Sequence, residues 1–86
     1  MELEEVEFAD SAFRHGYEPE DFFELIASPV LKTRSRRGLA GVYELYGRNS
    51  AGDYLHVAYR KLPGKVVVFH MMRMTPREKQ MFRRLV

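Results

Sequence analysis

At Val30 the apolar pattern of this chain changes period, and no other feature limits its possible folds as much. Before that point Phe22, Phe23, Leu25 and Ile26 recur as on one wide face of a helix. After it, apolar and polar residues alternate, and turn signals fall at intervals suited to short antiparallel strands: Gly38 to Gly41, then Asn49, Ser50 and Gly52, then Pro63-Gly64. The pattern predicts four strands, over residues 30–37, 42–48, 54–61 and 66–72. The last is a near-continuous apolar run, which predicts a strand covered on both faces and central in its sheet.

Helices are predicted on either side of this meander. Residues 8–15 read as a short first helix, with Asp10 or Ser11 near its start and Gly16 at its end. A second begins at Pro19, where Glu20 and Asp21 favour the positive end of the helix dipole, and stops at Pro29. The C-terminal helix is the best signalled, because Thr75-Pro76-Arg77-Glu78 combines a capping box with proline at the first helical position. Helices segregated from an antiparallel sheet define an α+β fold: two N-terminal helices, a four-stranded mainly antiparallel sheet and a C-terminal helix. With 86 residues the chain has room for a single domain, residues 1–86, around one core.

Cysteine is absent, which excludes disulfides, thiolate nucleophiles and cysteine-ligated metal centres, and fits a reducing, cytoplasmic setting. The opening Glu2, Glu4, Glu5 and Glu7 are the opposite of a signal peptide's basic start, and no apolar run approaches a membrane span. The net charge of +2 conceals a division: residues 1–29 hold nine acids against Arg14, a balance of −8, and residues 30–86 hold thirteen bases against Glu44, Asp53 and Glu78, a balance of +10. A basic surface of this kind suits an anionic partner, nucleic acid above all, although solvated surface charge gives the same count. There is no nucleotide-binding glycine loop, no His-Glu-x-x-His and no carboxylate cluster with metal spacing, so neither a metal nor a nucleotide cofactor is expected.

Several segments, in order, resemble one known family. Arg14-His15-Gly16 resembles the Lys-His-Gly that closes the first helix of BrnT-type toxins, and residues 17–29 resemble the helix that follows it. Tyr46-Gly47-Arg48-Asn49-Ser50 with Gly52 is similar to the family's Gly-Arg-Ser hairpin, and Leu55-His56-Val57-Ala58-Tyr59 to its apolar strand ending in tyrosine. Residues 68–74 with Thr75 and Glu78 resemble its last strand and helix start. The resemblance implies a RelE-like fold and a metal-independent endoribonuclease that inhibits translation. Its implied partners are RNA and a cognate antitoxin of ribbon–helix–helix type, with operator DNA reached only through that antitoxin. Met71 stands where the family has serine, Leu62 where it has a basic residue and Phe82 where it has an aromatic hydroxyl. These departures suit the alternative, a RelE-like module that binds RNA or protein without cleaving.

Metal-free RNA cleavage needs a base for the attacking 2′-hydroxyl, an acid for the leaving oxygen and cations for the gathering charge. Arg48 and Arg73 are the chosen cations, since both end strands, match family motif positions and can bind phosphate in bidentate fashion. For proton transfer the choice is His56, which alternation places with Tyr54, Ala58 and Arg60, away from the core. His70, read as sharing a face with Val68 and Met72, suits a hydrogen-bonded core position equally well, and His15 a structural or antitoxin-contacting one. The expected RNA-binding residues are Lys32, Arg34, Tyr46, Tyr59, Arg60 and Lys61; for the tyrosines, stacking on a base competes with half-buried strand packing. Arg36 and Arg37 would add to the charge of the first strand, whether they position RNA or protect a sheet edge.

Overall fold

A computed structural model describes residues 5–28, 30–34 and 40–85. Strand β1 (Glu5–Phe8) leads into a 3₁₀ turn (Asp10–Phe13) and helix α1 (Pro19–Ile26). Strands β2 (Leu31–Arg34), β3 (Val42–Arg48), β4 (Tyr54–Leu62) and β5 (Lys65–Arg73) follow, then helix α2 (Pro76–Leu85). The five strands form one mixed sheet in the order β1-β5-β4-β3-β2, in which β1 runs parallel to β5 and the other neighbours are antiparallel. The fold is α+β.

The first predicted helix is the main correction. Phe8 belongs to β1 and pairs with Val68, and Ala9 N–H donates to Val68 O at 2.8 Å. Ser11, read as a helix cap, instead donates its hydroxyl to Phe69 O at 2.7 Å. These contacts with β5 draw the segment along the sheet and leave only a single 3₁₀ turn where an α-helix was expected. Among the described residues the fold therefore has five strands rather than four, and one N-terminal α-helix rather than two. The acidic run through Glu5 and Glu7 is a strand; Glu2 and Glu4 lie outside the described residues.

The other elements fall close to their predicted places. β3 has the predicted bounds, α1 starts at Pro19, and α2 begins with both bonds of its capping box: Glu78 N–H to Thr75 Oγ1 (3.1 Å) and Thr75 N–H to Glu78 Oε1 (2.9 Å). The described part of the first predicted strand ends at Arg34; Arg36, Arg37 and the start of the Gly38 to Gly41 turn lie outside the described residues. β5 is an interior strand, paired along its two edges with β1 and β4, but β4 holds the middle of the sheet.

Both faces of the sheet are covered. On one, Leu45, Leu55, Val57, Tyr59, Val66, Val68 and Met71 pack with Ala12 and with Phe22 and Leu25 of α1 to form the main core. On the other, Tyr46 packs with Met74 and Phe82, flanked by Leu31, Tyr54 and Met81. Alternation along β3 and β4 thus places α1 and α2 on opposite faces. Gly47 permits the close approach of α1, since a Cβ there would stand 2.9 Å from Leu25 Cγ.

A bulge resets the pattern in β5. Ala58 pairs with His70 but Tyr59 pairs with Val68, so Phe69 has no counterpart on β4. One extra residue reverses the faces beyond it. Val68 and Met71 both reach the main core, while His70 and Met72 lie opposite Ala58 and His56 on the α2 face. The expectation that His70 shares a face with Val68 is corrected by this bulge.

Candidate nucleic-acid interface

β3 and β5 both run antiparallel to β4, so their C-terminal residues arrive at the same end of the sheet. Arg48 pairs with Tyr54, and Arg73 pairs with Leu55. The two arginines chosen from the sequence are thereby brought to either side of the first residues of β4.

The turn carrying Arg48 is fixed largely by the acidic part of the chain. Asp53 N–H donates to Asn49 Oδ1 at 2.9 Å, and Asn49 Nδ2 donates to Asp21 Oδ1 at 3.1 Å. Ser50 N–H donates to Glu24 Oε1 at 3.0 Å, and the Ser28 hydroxyl reaches Arg48 O at 3.0 Å. Gly52 holds φ at +88°, and a Cβ there would meet the Arg48 guanidinium at 3.3 Å. Side chains of α1 thus set the geometry of the turn, and glycine leaves room for the cation.

Tyr54 is the centre of this end. The Arg48 Cζ lies 4.8 Å and the Lys79 Nζ 4.5 Å from its ring centroid, and Phe82 meets it edge-on at 5.9 Å. Cations over an aromatic ring are held by its quadrupole, by about 0.5–1 kcal/mol at exposed sites. Arg73 donates from Nε to Tyr17 OH at 3.2 Å and lies 3.7 Å from Asp53, with its side chain 74% exposed. Those two partners, Tyr17 foremost, raise its pKa further. Two open hollows adjoin Tyr54: one of ≈ 480 Å³ bordered by Arg48, Ser50, Phe82 and Arg83, the other of ≈ 430 Å³ bordered by Asp53, Arg73, Pro76 and Lys79.

His56 lies one residue pair inward, on the α2 face, between Tyr46 of β3 and Met72 of β5. It is away from the main core as alternation predicts, but α2 covers it, and 13% of its side chain is exposed. Its Nε2 lies 2.6 Å from Glu44 Oε1, which also accepts the Tyr46 hydroxyl at 3.1 Å. Its Nδ1 faces Glu78 Oε2 at 3.8 Å, and its ring stacks on Tyr46 at 4.7 Å, 8° from parallel. His70 meets His56 at 5.4 Å and His15 at 5.7 Å, both near edge-on. Burial, then the neighbouring His56 and His15, holds the His70 pKa below its ordinary value.

The remaining sequence candidates are not gathered here. Tyr46 is fully buried beneath α2, and Tyr59, 7% exposed, stacks on Tyr43 in the main core at 5.7 Å. Both rings are engaged in packing, so neither presents a face to a base. Arg60 and Lys61 lie exposed toward the far end of β4, about 20 Å from Tyr54 at ~3.3 Å per residue. Arg34 pairs with Tyr43 toward that same far end, and Lys32 sits over the Tyr43 ring at 4.9 Å. Sequence reasoning missed Tyr54, Lys79 and Arg83 as members of the cationic end, and Glu44 and Glu78 as the partners of His56. The available signal was parity: Glu44, the one acid in β3, shares a face with Tyr46, and Tyr54 with His56.

No group of three or more His, Asp or Glu side chains among the described residues is arranged to hold a metal ion, and no described helix is long and apolar enough to cross a membrane. In comparisons with family models, curated proteins and solved structures, the chain matches none.

Proposed function

We propose that this chain is a cytoplasmic RelE-like endoribonuclease of BrnT type, a toxin that cuts RNA without metal and inhibits translation. Its antitoxin, of ribbon–helix–helix type, neutralises it and links it to operator DNA. The observation that carries the reading is the convergence of Arg48, Arg73, Lys79 and Arg83 on the hollows beside Tyr54. In this reading the 2′-hydroxyl attacks the adjacent phosphorus as the bond to the 5′ oxygen breaks. Arg48 and Arg73 stabilise charge on the phosphoryl oxygens, His56, backed by Glu44, accepts the hydroxyl proton, and solvent water protonates the departing 5′ oxygen.

One observation favours the second reading, an RNA-binding module without cleavage: both ring nitrogens of His56 face carboxylates, those of Glu44 and Glu78. The departure at Met71 bears less on catalysis, because that side chain is fully buried in the main core. Phe82 lies in the α2 core, where a hydroxyl would need a partner.

Inducible bacterial expression of the wild type beside Arg73→Ala and His56→Ala tests the proposal. Growth arrest with cleavage of a test RNA is expected for the wild type. Losses on the order of 10²-fold or more are expected for each variant. A folded wild type that neither arrests growth nor cuts RNA refutes the nuclease and leaves the binding module.

A further inference from the structure

Gly52 and Tyr54 border both hollows at the cationic end, so the Tyr54 side chain stands as a wall between them. Each hollow holds two cations: Arg48 and Arg83 on one side, Arg73 and Lys79 on the other. Asp53 brings a carboxylate within ion-pair range on one side, at 3.7 Å from Arg73. Arg48, from one hollow, and Lys79, from the other, both stand against the Tyr54 ring, at 4.8 Å and 4.5 Å from its centroid. Their mutual repulsion is relieved by anions, and the division of the site calls for two of them.

We propose that the Tyr54 wall divides a two-phosphate site, in which adjacent phosphates of a single-stranded RNA occupy the Arg48/Arg83 and Arg73/Lys79 hollows. The inference rests on the RNA reading above and deepens it by assigning a place to each phosphate. A single strand suits the geometry because its backbone can bend over a ridge, which a stiff duplex cannot follow. Tyr54 acts here as a divider. Its ring carries cations in both hollows, so it is not the open stacking platform found in many single-strand binders. The two hollows also differ: Asp53 borders only the Arg73/Lys79 side and partly neutralises it, which makes the Arg48/Arg83 side the stronger phosphate subsite.

The test uses 2′-O-methyl oligoribonucleotides, which lack the attacking hydroxyl, so binding is read independently of cleavage. A dinucleotide with one internal phosphate is compared with a trinucleotide with two, by titration calorimetry on the full chain. The trinucleotide is expected to bind about 10-fold tighter, with a salt slope near −1.4 against −0.7 for the dinucleotide, taking about −0.7 per phosphate for single strands. Lys79→Ala, at an exposed position, is expected to bring the trinucleotide down to the wild-type dinucleotide affinity and slope with the dinucleotide little changed, while Arg83→Ala, also exposed, is expected to weaken both ligands and to take the trinucleotide below that level. Unchanged circular dichroism confirms that the variants remain folded. Equal affinity for the two ligands, equal weakening of both by Arg83→Ala and Lys79→Ala, or no binding by the folded wild type each overturns the proposal. Ordered two-phosphate binding without cleavage of ordinary RNA overturns the nuclease alone.

Discussion

Replacing Gly47 by alanine probes the contact that fixes α1, and with it the turn of Arg48, against the sheet. The new methyl would lie 2.9 Å from Leu25 Cγ, 3.2 Å from Val30 Cγ1 and 3.4 Å from Leu25 Cδ2. Carbon atoms prefer about 3.5–4.0 Å, so the shortest contact must open by roughly 0.6–1.1 Å. Leu25 is fully buried, and its Cγ is a branch point rather than the end of a flexible chain, so relief requires α1 itself to move. Overpacking of this kind costs about 1–3 kcal/mol. Alanine restricts the unfolded chain more than glycine does, which offsets about 0.4–1 kcal/mol. The centres of the two ranges leave a net destabilisation of about 1.3 kcal/mol, read as a fall of about 1.3 M in the urea midpoint for a slope near 1 kcal/mol/M. Leu25→Ala alone is expected to cost about 2–5 kcal/mol, but in that background the methyl introduced by Gly47→Ala loses its shortest contact and keeps only the 3.2 Å approach to Val30 Cγ1, so most of its penalty disappears. A Gly47→Ala protein as stable as wild type, or one equally penalised with and without Leu25, would refute the close-approach argument.

Two further outcomes are expected. Thr75→Ala removes the hydroxyl that accepts Glu78 N–H at the start of α2 and is expected to cost about 1 kcal/mol in urea unfolding, with serine restoring most of it; equal stability of the alanine variant would contradict the cap. His70 faces His56, His15, Glu44 and Glu78, and its pKa is lowered chiefly by burial. The unfolded chain therefore takes up a proton at a higher pH than the folded one, so stability falls with pH from the ordinary histidine value of about 6.5 down to the folded pKa. Urea midpoints at pH 5 and pH 7.5 are expected to differ less in His70→Gln than in wild type, and an identical difference would remove His70 from the account.

What was legible in the sequence was local. Thr75 and Glu78 signal α2 because a capping box is written within four residues, and β3 was bounded by turn residues on both sides. What was hidden depends on partners far along the chain. The segment from Glu5 to Phe8 alternates polar and apolar residues over only four positions, a short signal outweighed by Asp10, Ser11 and Gly16, which imitate helix punctuation, and it is held as a strand by pairing with β5. The bulge at Phe69 leaves no mark in a near-continuous apolar run, so the face of His70 was misread. For the site, turn positions put Arg48 and Arg73 at strand ends, and the antiparallel pairing of β3 and β5 with β4 is what brings those two ends together. The enclosure of His56 and Tyr46 followed from α2 lying over a face that alternation alone treats as open.

The parallel pairing of β1 also has a consequence for biosynthesis. Glu5 pairs with Lys65, 60 residues further along the chain. At about 5–20 residues per second, the ribosome takes roughly 3–12 s to supply that partner. Through that interval the emerging segment holds Phe8 and Phe13 with no strand to receive them, beside Glu5, Glu7 and Asp10. Charges flanking such a segment discourage its pairing with other nascent chains. Glu7 meets Lys65 only once β5 arrives, at 3.2 Å, so the same carboxylate guards the waiting strand and then helps to seat it.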